Sequence, residues 1–457
     1  MKDTKRRLEV FSFYDRAHIE RHLEAMAARG WLLERMGKFG WVYRRIEPKR
    51  LTFHVSYFPD ASDFDPGPTW GQLTFQDFCE RTGWQLACSS AQMQVFYNEG
   101  PDPLPIETDP ALELETIHRA AKRSYLPAYF VLLLMDLLFC ASLLFVLTSD
   151  PIGTLADGAN FCGGLVFAIF LVHCLHEILG YFLWLRRAKH AAADGVFLDT
   201  PDTSRLQKIL YWTILAVFAW YLLSVFTNGS PLLRWTAVAM IGYYIALFAL
   251  VDAVKRYLKG QGASRGTNRA LTIGAAFLFA LLVIGVITWG LSRAYSSGLI
   301  PPEETAEDYP LVLEDLTDEH LADGGLLMYN ANRSPILERI EVQHHGTIIV
   351  GGEEQDLGLE YTVTVVKLPL LYDWCREQIL GGIRGWMPGD VYEPRDPAPW
   401  GAEAAYELAG SWTAGPTGWY VLCYEDRIVE LICPGTRPPA APRGAGPRGS
   451  PLRPAPP

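Results

Sequence analysis

The chain has 457 residues, of which 49% are hydrophobic and 20% are charged, and its formal net charge is −11. The charge is unevenly spread: residues 1–125 carry 17 Lys and Arg against 18 Asp and Glu, residues 126–293 carry 12 against 8, and residues 294–435 carry 7 against 25. A segment as acidic as the last one repels nucleic acid and anionic lipid surfaces. We therefore expect no direct binding of nucleic acid.

The first predicted domain, residues 1–115, contains a repeated pattern. Apolar alternation and turn residues predict strand, helix, strand and strand, twice in succession. The predicted elements are strand 8–13, helix 16–28 and strands 31–36 and 41–46, then strand 51–57, helix 73–81 and a hairpin over 85–97. Gly30–Trp31 and Gly83–Trp84 lie 53 residues apart, as do Val42–Tyr43 and Val95–Phe96, which favours an internal duplication. We expect the two units to form one antiparallel sheet with both helices on one face.

The doubled pattern is similar to that of a known family. The likeness is carried by the helix end Met26-Ala27-Ala28-Arg29-Gly30-Trp31, by Tyr43 in the first hairpin, and by Gly83-Trp84 with Val95-Phe96. Over residues 8–110 the chain resembles the bacterial membrane-protein family of the domain of unknown function 2812. The resemblance implies a cytoplasmic domain followed by several membrane helices, and it implies no particular activity. Members are often encoded beside PadR-like transcriptional regulators, which implies a regulatory setting.

Aromatic side chains recur through both units: Trp31, Trp41, Tyr43, Trp84 and Phe96. By analogy of fold alone, doubled units of this kind also form the ligand-binding domains of gyrase-inhibitor-like regulators. In such a domain these aromatics could line a pocket for a small ligand. The alternative is that they are ordinary sheet core.

Five stretches are long and apolar enough to cross a bilayer, which takes about 20 helical residues. They lie near residues 126–147, 161–185, 209–226, 232–254 and 270–291, within a predicted membrane region over 116–293. Five in series argue against the buried core helices of a soluble protein. The predicted fold class is a membrane α-helical bundle of five transmembrane helices, flanked by an N-terminal α+β domain and a C-terminal α+β domain. We expect a multi-pass protein of the cell membrane.

Basic residues between the five stretches indicate the orientation, because cytoplasmic loops retain positive charge. Arg119, Lys122 and Arg123 lie directly before the first stretch, five basic residues lie in the second connection and five in the fourth, whereas the first connection has none and the third has only Arg234. This alternation predicts a cytoplasmic N-terminus and an extracytoplasmic C-terminus.

Four ionisable residues lie within the first two membrane stretches: Asp136, His173, His176 and Glu177. Ionisable groups at the bilayer centre are costly, so they usually face the bundle interior and pair with one another. We expect Asp136 to pair with a histidine of the second stretch. The cluster is interpreted as a structural hydrogen-bonded contact between two helices, with a proton relay, ion relay or metal site as the alternative.

The remaining sequence predicts an acidic extracytoplasmic α+β domain over residues 294–435 and a disordered tail rich in Pro, Gly and Arg over 436–457. Strands are predicted near 311–314, 326–329, 336–342, 347–350, 361–367, 406–409, 419–424 and 428–432, with one helix at 370–381.

No motif in the chain is sufficient to indicate an enzyme. Residues 294–435 contain no Gly-x-Ser-x-Gly elbow, and the whole sequence has no His-Glu-x-x-His and no Cys-x-x-Cys, so we assign no catalytic, cofactor-binding or metal residue. We expect a non-enzymatic sensor or regulatory protein that couples an outer domain to a cytoplasmic domain, which would bind a protein partner or small ligand. The alternative is a transporter or an ion- or proton-translocating component that uses the four membrane residues.

Overall fold

The structure is a computed structural model. It describes residues 3–37, 40–200, 204–228, 231–297, 326–350, 353–381, 391–409 and 418–432. The chain forms two compact units, one of residues Met1–Cys140 and Val166–Arg293 and the other of Ala141–Leu165 and Ala294–Pro457. The predicted strand 311–314 and the predicted tail 436–457 lie outside the described residues. The predicted domain boundaries stay predictions.

The N-terminal domain contains two successive units with the same order of elements. These are β1 (Thr4–Arg7), α1 (Arg16–Ala27), β2 (Trp31–Gly37) and β3 (Gly40–Arg45), then β4 (Thr52–Tyr57), α2 (Trp70–Arg81), β5 (Gln85–Ser90) and β6 (Met93–Asn98). The predicted helices and hairpins are confirmed. Helix α2 starts three residues earlier than predicted because Thr69 and Gln72 form a reciprocal capping box, each side chain accepting from the other's backbone N–H.

Two predictions for this domain are wrong. The first strand is β1, upstream of the predicted 8–13, and the aromatic residues Phe11 and Phe13 of that segment pack onto the buried core instead. The six strands form two separate three-stranded antiparallel sheets, ordered β1-β3-β2 and β4-β6-β5, rather than one sheet. Strands β2 and β5 lie side by side without joining the two ladders.

The two units repeat one another in geometric detail. Each hairpin shifts register at the equivalent place, after Leu33 in the first unit and after Leu86 in the second. The glycine before each hairpin adopts a left-handed conformation, with φ of 82° at Gly30 and 89° at Gly83. A glycine ends a helix well because it has no Cβ to strain this conformation. These shared features support the predicted duplication.

The membrane region begins as an extension of the N-terminal domain. Helix α3 (Pro110–Ala120) passes through one π-helical turn (Ala121–Tyr125) into α4 (Leu126–Ser149). The further helices are α5 (Pro151–Ala156), α6 (Gly158–Ala193), α7 (Ser204–Asn228), α8 (Pro231–Gly260) and α9 (Arg265–Ser296). Five helical segments in the described chain, Pro110–Ser149, Gly158–Ala193, Arg205–Thr227, Leu233–Gly260 and Arg265–Gly290, are long and apolar enough to cross a membrane. This finding supports the predicted membrane region.

The C-terminal domain is one antiparallel sheet with a helix. Its elements are β7 (Leu326–Arg333), β8 (Leu337–Val350), β9 (Glu353–Val366), α10 (Tyr372–Gly381), β10 (Val391–Arg395), β11 (Ala404–Ala409), β12 (Trp419–Cys423) and β13 (Arg427–Ile432). The strand order is β10-β11-β12-β13-β9-β8-β7. Helix α5 contributes to this domain, because Ile152 and Ala156 share a buried cluster with Leu337, Cys375 and Ile379.

This sheet differs from the sequence prediction in three details, one of which is that β9 begins eight residues before the predicted strand 361–367. The predicted strands 336–342 and 347–350 are one strand, β8, in which Gly346 pairs with Leu357 in the middle of a long ladder. Strand β10 was not predicted, because Pro394 interrupts its pattern. Proline is tolerated there because β10 is an edge strand.

Candidate functional site at the N-terminal junction

The junction between the N-terminal domain and the membrane helices is built around aromatic rings. Tyr14, in the segment before α1, contacts Tyr125, Tyr181 and Trp184 with ring centroids 5.1–6.1 Å apart. All four side chains are buried and belong to the same hydrophobic cluster as the core of the domain. The domain and the adjoining helix ends therefore share one continuous core.

Glu177 lies inside this junction and is only 1% exposed. Its carboxylate accepts a hydrogen bond from the Ser12 hydroxyl at 3.0 Å and one from the Tyr125 hydroxyl at 2.8 Å. The side-chain amide of Gln207 donates to the same carboxylate and to the Ser12 hydroxyl, the latter at 2.6 Å. We call these four residues the Glu177 network. It ties the N-terminal domain to α6, α7 and the π-helical turn through one buried acceptor.

A second polar contact lies close to the first along the chain. Asp15, the residue before α1, is 2% exposed, and its Oδ1 lies 2.6 Å from Nδ1 of His18. The hydroxyl of Thr200, in the connection from α6 to α7, donates to the same oxygen. The start of α1 is therefore fixed by the connection that joins the second and third membrane helices.

Three carboxylates surround one arginine and one histidine beneath α1. Nη1 of Arg16 lies 2.7 Å from Glu113, and its guanidinium also faces Glu20 at 3.6 Å and Glu107 at 3.8 Å. His54 on β4 lies 3.7 Å from Glu20 and 3.5 Å from Glu107. We call these five residues the Arg16 cluster. It connects α1 and β4 to the start of α3, the helix that continues into the membrane.

Two members of the Arg16 cluster have pKa values displaced in opposite directions. Burial raises the pKa of Glu20 above its ordinary value, even though Arg16 and His54 favour the charged form. Glu107 is also buried, which acts to raise its pKa, but its contacts with His54 and the hydroxyl of Ser56 hold that pKa below the ordinary value. The surroundings therefore favour the protonated form of Glu20 and the charged form of Glu107.

An acidic loop, residues 60–65, binds basic residues next to the membrane helices. Asp60 pairs with Arg123 just before α4. Asp63 lies 2.9 Å from Nζ of Lys255, and Asp65 lies 2.6 Å from Nε of Arg265. The Asn268 amide, which is fully buried, donates to the backbone oxygen of Phe64 at 3.0 Å. The loop therefore fixes the domain to α8, α9 and the start of α4.

The predicted membrane cluster does not come together as expected. Glu177 belongs to the junction, and Nε2 of His173 lies 3.4 Å from the Tyr129 hydroxyl. Asp136 is 3% exposed, but neither of its carboxylate oxygens has a hydrogen-bond partner among the described residues. The expected pair of Asp136 with a histidine is therefore wrong, and His173 lies next to Tyr129 instead. His176 is partly buried and joins neither group.

The five predicted aromatics also have different environments. Tyr43 and Phe96 are fully buried and Trp84 is 3% exposed, so these three are sheet core. Trp31 is partly buried and packs under the ammonium group of Lys5. Trp41 is the member of the set that lines a cleft between the first sheet and the membrane helices. A single pocket formed by all five is not present in the described part of the domain.

A known family matches the part of the chain that contains the N-terminal side of the junction. Residues 15–129 match the family model described as Protein of unknown function (DUF2812). The resemblance predicted from the doubled Gly-Trp pattern is thereby confirmed. The DUF2812 match includes the whole Arg16 cluster and Tyr125, whereas Glu177 and Gln207 lie beyond it. Comparison with curated proteins and with solved structures found no match.

Sequence reasoning missed most of the junction. Taken singly, Ser12, Tyr125 and Gln207 are ordinary polar residues that no motif distinguishes. The residues of the Arg16 cluster come from four separate segments of the chain, so no local pattern connects them. One signal was available: Arg16 and Glu20 stand four residues apart on the predicted helix, as an ion pair on one face would. Among the described residues, no group of three or more His, Cys, Asp and Glu side chains is arranged to hold a metal ion.

Proposed function

We propose that this protein is a non-enzymatic membrane regulator in which a cytoplasmic N-terminal domain responds to the membrane helices and, through them, to an extracytoplasmic domain. The Glu177 network carries the proposal. A carboxylate shared by three partners on separate elements cannot keep all its hydrogen bonds if one element moves. Displacement of α6 or α7 would therefore change the hydrogen bonds of Ser12, which lies next to the start of α1.

The proposed orientation rests on charge and on the loops that each domain contacts. Basic residues are concentrated before α4 and at the helix ends that flank two connections, the one between α6 and α7 and the one between α8 and α9, as expected of cytoplasmic segments. The N-terminal domain binds Thr200 in the first of these connections and Arg265 at the start of α9, directly after the second. The C-terminal domain instead packs with α5, in the connection that lacks basic residues. Reporter fusions after Ser204 or Arg265 should report the cytoplasm, and fusions after Asp157 the exterior; an external signal after Ser204 would contradict this orientation.

The coupling can be tested by disturbing the C-terminal domain and observing the junction. Arg339 is 4% exposed and lies 3.1 Å from Asp150, the residue that caps α5. We expect Arg339→Leu, in the full chain reconstituted in lipid, to increase hydrogen–deuterium exchange in residues around Ser12 and Gln207. The matched control is Arg333→Leu, which removes a more exposed ion pair with Glu338 in the same sheet. If Arg339→Leu alters exchange only within residues 326–432, the coupling proposal is wrong.

One observation favours the alternative of an ion- or proton-translocating component: Asp136 is buried, and its carboxylate has no hydrogen-bond partner among the described residues. In proteoliposomes with an internal pH dye, such a component would dissipate a pH gradient, and Asp136→Asn would abolish the flux. The regulator proposed above predicts equal and slow dissipation for both proteins.

A further inference from the structure

A cleft of about 1200 Å³ lies between the first sheet of the N-terminal domain and the membrane helices α7 and α8. This volume exceeds the roughly 300–1000 Å³ of ordinary small-molecule pockets. One wall consists of strand residues, including Arg6, Arg35 and Trp41, and the other consists of apolar helix residues, including Ile245 and Phe248. The cleft therefore has a polar wall and an apolar wall that face each other.

The apolar wall lies on a helix that is suited to contact lipid. Ile245 and Phe248 belong to the candidate span Leu233–Gly260, in whose most apolar stretch no residue is buried by protein. Ile245 is 66% exposed and Phe248 is 58% exposed. Side chains of this type at membrane depth are normally covered by acyl chains. The cleft is therefore open on its apolar side to a molecule from the bilayer.

The polar wall presents two arginines on one rung of the sheet. Val42 on β3 pairs with Arg6 on β1 and with Arg35 on β2, so the three side chains point to the same face. Among the described residues, neither guanidinium has an ion-pair or hydrogen-bond partner, in contrast to Arg123 and Arg265, which the acidic loop engages. The two arginines flank Val42 on strands roughly 10 Å apart, and long side chains at that separation can both reach the oxygens of one phosphate group.

The total charge of the lining favours an anionic occupant. Among the described residues, four basic side chains line the cleft, Arg6, Arg35, Lys255 and Arg256, against two acidic ones, Asp63 and Asp252. Lys255 pairs with Asp63 and Arg256 with Asp252, so the excess positive charge resides on the two arginines of the sheet. Basic pockets next to membrane helices are typical sites for anionic lipid headgroups.

We propose that this cleft binds an anionic phospholipid from the leaflet adjoining the N-terminal domain. Its phosphate lies between Arg6 and Arg35, and its acyl chains lie along Ile245 and Phe248. A lipid in this position would contact both the first sheet and α8. The proposal does not depend on the regulatory function or on the orientation proposed above.

The test uses the full-length protein in neutral detergent, titrated with phosphatidylglycerol, with phosphatidylcholine of the same acyl chains, or with inorganic phosphate, while thermal unfolding is followed. We expect phosphatidylglycerol to stabilise the protein more than phosphatidylcholine, and inorganic phosphate to have no effect. Arg6→Gln with Arg35→Gln should weaken the apparent affinity for phosphatidylglycerol about tenfold or more, because two charge-assisted contacts are lost. The control is Arg29→Gln with Arg50→Gln, which removes the same charge from exposed positions outside the cleft and should retain the wild-type affinity.

A second variant covers the case in which the double replacement fails to fold. Val42→Glu places a carboxylate between Arg6 and Arg35 on the same rung, and it should abolish the preference for phosphatidylglycerol while both arginines remain. Equal affinities in the double variant and its control would overturn the proposal. Equal stabilisation by the two phospholipids would do the same. Stabilisation by inorganic phosphate alone would show that the site takes a free anion and not a lipid.

Discussion

The two units of the N-terminal domain share strand order, register shift and helix-ending glycine, yet their helices lie in different environments. On α1, the side chains of Ile19, Leu23 and Met26 are at most 2% exposed, because the helix packs between its own sheet and β4. On α2, Trp70 is 82% exposed and Phe78 is 54% exposed. The same backbone plan therefore places its helix in two different environments. Both units contact the membrane helices, the first through Ser12 and Tyr14 and the second through the acidic loop, but only the helix of the first unit is enclosed by the domain.

The largest expected difference between the units concerns their equivalent tryptophans. Trp84 is 3% exposed and its indole N–H donates to the carbonyl of Leu104 at 2.8 Å, whereas Trp31 lies partly exposed beneath Lys5. We expect Trp84→Ala to lower the free energy of unfolding by about 3–5 kcal/mol, as for a fully buried aromatic. Trp31→Ala should cost clearly less. Chemical unfolding of both variants measures this, and equal losses would mean that the two positions are equally buried.

A smaller effect is expected where the first unit meets the membrane helices. Glu177→Ala leaves the hydroxyl groups of Ser12 and Tyr125 without their acceptor, which should cost about 1–3 kcal/mol. The control Glu115→Ala removes a carboxylate that is 61% exposed and paired with Arg119, and it should have almost no effect. Thermal unfolding in detergent compares them. A Glu177 variant as stable as its control would show that the junction does not hold the domain.

The Arg16 cluster should give two opposite pH dependences. Glu20 has a raised pKa, so the folded state holds its proton more tightly, and its contribution to stability declines as pH rises above the ordinary value of 4.5 towards the raised pKa. Glu107 has a lowered pKa, so its contribution is present above 4.5 and is lost as pH falls through its folded pKa. Stability measured against pH for Glu20→Gln and Glu107→Gln should therefore change in slope with opposite sign. Slopes that change in the same direction would contradict this assignment.

The smallest expected effect is on the solvent face of the second unit. Arg81 and Asp77 form an ion pair on α2 with side chains 77% and 59% exposed. Arg81→Ala should change the free energy of unfolding by no more than about 0.5 kcal/mol. A loss several times larger, in the same unfolding assay, would indicate that α2 is covered by another part of the protein in solution.

Local patterns predicted the parts of this fold that depend on near neighbours. The apolar runs gave the five membrane helices, because a span needs a minimum length of continuous apolar sequence. The spacing of Gly30 and Gly83 gave the repeat, because each glycine ends a helix at the same point of its unit. The number of sheets was not predictable in this way, since it depends on whether β2 and β5 bond to each other or only lie adjacent.

Local patterns could not predict the junction, and the reason is physical. Ser12 and Glu177 are 165 positions apart, and Ser12 and Gln207 are 195 apart. No periodicity connects residues at that separation, and Ser12 and Gln207 lie in no recognisable motif. Glu177 stood out only as an ionisable residue within a membrane stretch, which does not indicate its partners. The expected pairing of Asp136 was wrong for a related reason, because matched depth in the bilayer does not establish which side chains meet across two helices.

The acidic loop has a consequence for biosynthesis. The most distant of the partners described above, Asn268, follows Phe64 by 204 residues. Translation at about 5–20 residues per second places on the order of 10–40 seconds between the two. During that interval the N-terminal domain has emerged from the ribosome while its contacts to α9 do not yet exist, and Asp65 faces water. The domain can dock completely only after the fourth membrane helix has been made. Its final attachment therefore requires that membrane insertion has reached the last span.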